Sequence, residues 1–136
     1  MIRVLIFDPD PTMRMLLRSL LGRDEHILVT AEVPDIRQAL DIAAAATPDA
    51  VVLSDAVASA DTIRAIRMRA GTARIIVLAT YQQNVLTHLA DGADECVLKD
   101  QAARLLADCI RRGVQGPRPP EGGPPPDLEA QFRADP

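Results

Sequence analysis

Ala50-Val51-Val52-Leu53-Ser54-Asp55 is the stretch that decides the fold. It is a short apolar run that ends abruptly in a hydroxyl and a carboxylate. The run is too short for a helix, and its β-branched valines suit a strand buried on both faces of a parallel sheet. Open α/β sheets carry their chemistry at the carboxyl ends of such strands, so Ser54 and Asp55 belong to whatever site the chain has.

Outward from this run, strand signals alternate with helical ones. Ile2 to Phe7 reads as a first strand, stopped by Asp8-Pro9-Asp10-Pro11. Asp10 is a good N-cap and Pro11 a good first helical residue, which predicts a helix through Met13, Leu16, Leu17 and Leu20 to Gly22. His26 to Ala31 reads as a strand, and Asp35 to Ala46 as a helix with Ile36, Leu40 and Ala43 on one face. After the central strand come a helix through Ile63 and Ile66, a strand over residues 74–78, and a helix near Val85 to Leu89 that Asp91-Gly92 breaks. Cys96-Val97-Leu98 is a final short strand, and Gln101 to Arg112, with Leu105, Leu106 and Ile110, a last helix. Five strands alternating with five helices imply a parallel sheet covered on both faces, because parallel neighbours need crossover helices of fixed hand.

At 136 residues and 48% apolar content, the chain is long enough for one domain with a proper core. Its 19 acidic against 15 basic residues give a net charge of −4 without a basic cluster, which argues against nucleic acid as a direct partner. There is no signal-type apolar segment and no run of 18 apolar residues, so a cytoplasmic protein with no membrane partner is expected. Cys96 and Cys109 lack C-x-x-C spacing and are expected to be buried and reduced. His26 and His88 stand alone and are expected at the surface or at strand ends.

Seven of the 11 prolines fall in residues 117–136, among glycines and charged residues. Such a segment lacks the apolar surface to order itself. The expected division is therefore a globular domain over 1–116 and a flexible or polyproline-type tail or linker over 117–136.

A phosphate-cradling first loop needs small residues and free amides. Here the loop is Asp8-Pro9-Asp10-Pro11, whose carboxylates repel an anion and whose prolines lack the N–H. No G-x-G-x-x-G occurs, which excludes the dinucleotide fingerprint. What remains is a loop of carboxylates facing a strand that ends in Ser-Asp, with Lys99 at the end of the last strand. Those are the makings of a cation site.

Over about residues 1–113 the sequence resembles a response-regulator receiver domain, most closely the receivers joined to a helix-turn-helix output domain. The resemblance rests on Phe7-Asp8-Pro9-Asp10-Pro11-Thr12-Met13-Arg14, Pro48-Asp49, Asp91-Gly92-Ala93-Asp94 and Val97-Leu98-Lys99-Asp100, in that order. It implies a flavodoxin-like, doubly wound sheet in strand order 2-1-3-4-5. It also implies phosphoryl acceptance by an aspartate at the end of the third strand. In that family magnesium is held by this aspartate, an acidic residue of the first loop and a backbone carbonyl, while a Thr or Ser and a Lys contact the phosphoryl group. A carboxylate attacks phosphorus only if a cation offsets the charge on both partners.

Carried over position by position, Asp8 matches the first acidic residue, but Pro9 stands where the family has its second. Gapless counting puts Ser54 in the acceptor position and Asp55 one residue on, facing the other side of the strand. The usual Thr or Ser falls on Ala79, with Thr80 beside it, and the switch aromatic on Cys96. Asp8 and Lys99 match.

The reading is therefore an atypical receiver with no catalytic residue and no required cofactor, whose degenerate phosphoacceptor site comprises Asp8, Pro9, Ser54, Asp55, Ala79, Thr80 and Lys99. It would act in signal transduction or transcription regulation through protein contact or self-association by the region from Val85 to Arg112. Lys99 is expected to pair with Asp8, and Asp10 to cap a helix first and ligate a metal second. Two alternatives stay open. One is a working phosphoacceptor that uses Asp55, with magnesium held by Asp8 and Asp10. The other is a small-ligand sensor using the vacated pocket.

Overall fold

The structure is a computed structural model, which describes residues 1–115. Five parallel strands lie in the order β2-β1-β3-β4-β5: β1 Ile2–Phe7, β2 Ile27–Val33, β3 Ala50–Ser54, β4 Arg74–Ala79 and β5 Glu95–Leu98. The helices between and after them are α1 Pro11–Leu21, α2 Ile36–Ala46, α3 Ala60–Arg69, α4 Val85–Ala90 and α5 Ala102–Gln115. The doubly wound α/β architecture and its strand order are those the resemblance implied.

Alternation along the strands builds two cores. Val4, Ile6, Ala50, Val52, Ile76 and Leu78 face α1 and α5, meeting Leu17, Leu21, Leu106 and Ile110. Leu5, Phe7, Val51, Leu53, Ile75 and Val77 face the other way, onto Ala39 and Ala43 of α2 and Ile63 and Ile66 of α3. Every residue of β3 and β4 is buried, as continuous apolar runs in a central parallel sheet require.

Two of the sequence motifs have structural roles. Asp49 takes the backbone N–H of Arg3 on Oδ2 at 2.8 Å, which ties the entry of β3 to β1. Asp94 takes the N–H of Ile75 at 2.8 Å and the guanidinium of Arg67 at 3.1 Å, tying the entry of β5 to β4 and α3. Gly92, two residues before it, has φ +115°, which strains any side-chain-bearing residue, and a Cβ there would make a tight 3.2 Å contact with Ile63 Cγ2.

Three expectations are corrected. Ile36 is 40% exposed, and the inner face of α2 is made by Ala39 and Ala43. Asp35 caps the helix by accepting from Gln38 N, which fixes Ile36 as the first helical residue, at the rim. His88 is buried, because α4 is so short that its phase sends His88 inward while Leu86 stays 67% exposed. Its two ring nitrogens have no hydrogen-bond partner among the described residues. Strand β2 also runs on to Val33 rather than ending at Ala31. The expected tail, 117–136, lies outside the described residues.

Candidate functional site

The carboxyl ends of β1, β3, β4 and β5 carry the residues singled out from the sequence. Asp8 follows β1 and is only 3% exposed. Its Oδ1 accepts from the N–H of Asp10 at 2.9 Å, while Oδ2 is buried without a hydrogen-bond partner among the described residues. Burial raises its pKa, against the opposing pull of the Asp10 amide and of Lys99. Asp10 behaves as the expected cap: its Oδ1 accepts from Thr12 N at 3.0 Å, with Pro11 at the start of α1. Pro9 offers no side-chain oxygen.

Arg14 was not singled out as a site residue, yet its Nη1 donates to the carbonyl oxygens of Asp8 at 2.8 Å and Pro9 at 3.2 Å. The first loop is thus braced by a fixed guanidinium from α1. The signal was present in the quoted motif, where a cation stands one helical turn beyond the loop's last proline.

Ser54 is 3% exposed, and its Oγ accepts from the N–H of Ala56 at 3.2 Å. It closes the turn after β3. Asp55, the first residue past the strand, does not point to the opposite face as alternation predicts. Its Oδ1 lies 3.0 Å from Lys99 Nζ, and its Oδ2 accepts from Thr80 N at 2.8 Å. Alternation governs a strand only while it lasts, and here the chain turns immediately, with Val57 N donating to Ser54 O. Burial alone would raise the Asp55 pKa, but the amide and hydroxyl of Thr80 and the ammonium of Lys99 outweigh it and hold the carboxyl below its usual range.

The expected Lys99–Asp8 salt bridge is therefore replaced by Lys99–Asp55. The Asp8 carboxylate sits deeper and is turned into its own loop by the Asp10 amide, whereas that of Asp55 stands at the rim, where the half-exposed lysine reaches it. Ala79 ends β4 and is buried, leaving Thr80 to provide the amide that binds Asp55. Cys96 is half-buried, with its thiol pushed up to about 11 by burial and by Asp55; burial pushes that of Cys109 up to about 12. Neither is a thiolate at neutral pH.

These residues do not fit a magnesium ion. Mg²⁺ takes one or two carboxylates in a near-octahedral set of oxygens. Both oxygens of Asp55 are engaged, one Asp10 oxygen serves the cap, and Pro9 supplies none, which leaves Asp8 Oδ2 as the buried site oxygen without a hydrogen-bond partner among the described residues. Among the described residues no group of three or more His, Cys, Asp or Glu side chains could hold a metal.

The buried Asp8 carboxyl gives a pH-dependent prediction. Because its folded-state pKa is raised, its ionisation opposes folding, and this penalty is absent below the unfolded pKa and complete above the folded one. Asp8→Asn is therefore expected to gain stability over wild type by about 1 kcal/mol at pH 7 and to lose that gain near pH 4. Urea denaturation at the two pH values checks the sign.

The response regulator receiver domain model matches residues 4–111. A nitrate/nitrite response regulator protein homolog of Haemophilus influenzae is 28% identical over 120 residues, which are 85% of this chain and 58% of the relative. The nitrate/nitrite response regulator protein NarL of Escherichia coli is 25% identical over 136 residues, covering 96% of this chain and 63% of that protein. The chain thus spans about six-tenths of the length of these curated relatives. Among solved structures, a two-component response regulator of the LuxR family from an Aurantimonas species superposes with a TM-score of 0.75, at 27% identity over 98% of both chains. The signal receiver domain of a NarL response regulator from Mycobacterium tuberculosis shares the fold with a TM-score of 0.74, at 22% identity over 85% of this chain and 98% of that one. With the family model covering nearly all of the sheet and its helices, the chain belongs to the response regulator receiver domain family.

Proposed function

We propose that this receiver signals through protein contact without magnesium-dependent phosphorylation. The observation that carries the reading is the engagement of both Asp55 oxygens, by Lys99 and by the Thr80 amide, beside a first loop in which Pro9 replaces a carboxylate. The lysine that an acceptor site would use is already committed within the chain, Lys99 to Asp55. The domain then performs no reaction of its own and needs no cofactor. Its partner is a protein or a second copy, engaged through the region from Val85 to Arg112.

The named relatives are nitrate/nitrite response regulators, which supports a role in two-component signalling and transcription regulation, exerted through a partner or an output domain rather than by direct nucleic-acid contact. No described helix is long and apolar enough to cross a membrane. Membership of the receiver family supports a cytoplasmic location without membrane contact.

A magnesium titration followed by amide NMR tests the reading. Expected is no saturable shift at Asp8, Asp10 or Asp55. Saturable shifts confined to the strand ends would contradict it. One observation favours a second reading, in which Asp55 is itself the acceptor: the carboxylate, Thr80 and Lys99 stand together, one residue displaced at both β3 and β4 from the gapless positions. Under that reading the same titration shifts Asp55 and Asp8 together.

A further inference from the structure

The first residue of β4 carries a charge into the interior, far from the strand-end site. Arg74 is 9% exposed, and its Nε and Nη1 are buried without a hydrogen-bond partner among the described residues. It stands two residues before Ile76, which packs toward α1 and α5, so alternation puts both side chains on that face of the sheet. Gly113 of α5 makes room for it: a Cβ there would stand 3.3 Å from Arg74 Nε and 3.8 Å from its Cγ. Glycine inside a helix is unfavourable, so the niche for this guanidinium is built at the expense of α5.

The described carboxylates at this end of the fold are committed elsewhere. Asp49 holds Arg3, Asp24 and Asp108 hold Arg111, and Asp108 also holds Arg112. Glu95 is paired in register with Ile76, but it engages the Cys109 thiol rather than Arg74. A guanidinium keeps its charge in a protein, and a buried charge without a counter-ion is costly. The group that fits is a further carboxylate, which accepts charge-assisted hydrogen bonds from a guanidinium.

The sequence supplies one next to the niche. Helix α5 ends at Gln115, two residues past Gly113, and the chain continues Gly116-Pro117-Arg118-Pro119-Pro120-Glu121. Glu121 is the first acidic residue after α5. A glycine directly after a helix suits a reversal of the chain, and the five residues beyond it span about 15 Å when extended. We infer that residues 116–121 fold back over the end of α5 and that the Glu121 carboxylate pairs with Arg74. The occupant of the niche is thus the chain's own linker, which fixes to β4 and α5 the point from which the rest of the chain departs. The contact is independent of the reading that the domain works without phosphorylation.

Urea denaturation of the full chain, with NMR of its arginine Nε–H groups, is the test. Glu121→Gln is expected to raise the unfolding constant about five-fold in the wild-type background and to leave it unchanged in Arg74→Met, where no cation remains to be paired. The Arg74 Nε–H resonance should shift and exchange faster with water in Glu121→Gln, whereas Asp127→Asn and Glu129→Gln should move neither resonance nor stability. If Arg74→Met does not fold, the resonance decides alone. A resonance indifferent to Glu121→Gln overturns the proposal, as does a stability indifferent to it. So does an equal loss in both backgrounds, or an effect of Asp127→Asn or Glu129→Gln in its place. None of these results bears on the metal titration, so the proposal can fail while the phosphorylation-independent reading stands.

Discussion

Ser54→Asp is expected to lower the stability of the domain by about 3 kcal/mol in metal-free buffer, because a carboxylate enters a buried position without a cation to meet it. Ser54 is 3% exposed at the end of a strand whose every residue is buried. Its register continues that of Val52, as that of Asp8 continues Ile6, and both Val52 and Ile6 face α1 and α5. The new carboxylate therefore joins the side of the sheet where Asp8 already holds a buried oxygen without a partner among the described residues. Lys99 cannot relieve it without giving up Asp55. Magnesium should restore much of the loss, since a second carboxylate beside Asp8 completes a donor set that wild type lacks, and binding to the folded state alone stabilises it. Urea denaturation with and without magnesium reads both effects. A loss below about 1 kcal/mol, with no response to the metal, would mean that Ser54 does not face the old site.

Phe7→Ala should cost about 4 kcal/mol, a large share of the stability of a domain this size. Phe7 is 1% exposed and is the first of the largest buried side chains. The chain holds 2 phenylalanines and no tryptophan, so its core is aliphatic and no second ring lies in the cluster to close over the cavity. The same residue sets the end of β1, directly before Asp8, paired in register with Leu53 of β3 and Val33 of β2. Thermal and urea unfolding should show the loss, and the amides of the first loop should show the local disturbance.

The fold could be read from the sequence because its strongest signals are local. Asp10-Pro11 starts α1 by a cap and a fixed φ, and Val51 to Leu53 and Ile75 to Leu78 are runs that suit only a strand buried on both sides. The errors fall where tertiary contacts decide. His88 carries no mark that tells a buried imidazole from an exposed one; the phase of a six-residue helix settles it. Asp55 was placed by alternation, which ceases at Ser54, so its turn toward Lys99 and Thr80 could not be read from β3 alone. The Lys99 partner was misassigned for a related reason: spacing brings Asp8 and Asp55 to the same end of the sheet, but only depth distinguishes the buried carboxylate from the one at the rim. Arg14 and the Thr80 amide act through backbone groups of a folded loop, which residue type does not reveal.

The account depends most on the absence of phosphoryl acceptance. Incubating the full chain with magnesium and either acetyl phosphate or phosphoramidate, then reading its intact mass, tests this directly. The account predicts an unchanged mass. Gain of one phosphoryl group that Asp55→Ala abolishes would contradict it and make Asp55 a working acceptor, one residue beyond the position that gapless counting assigns.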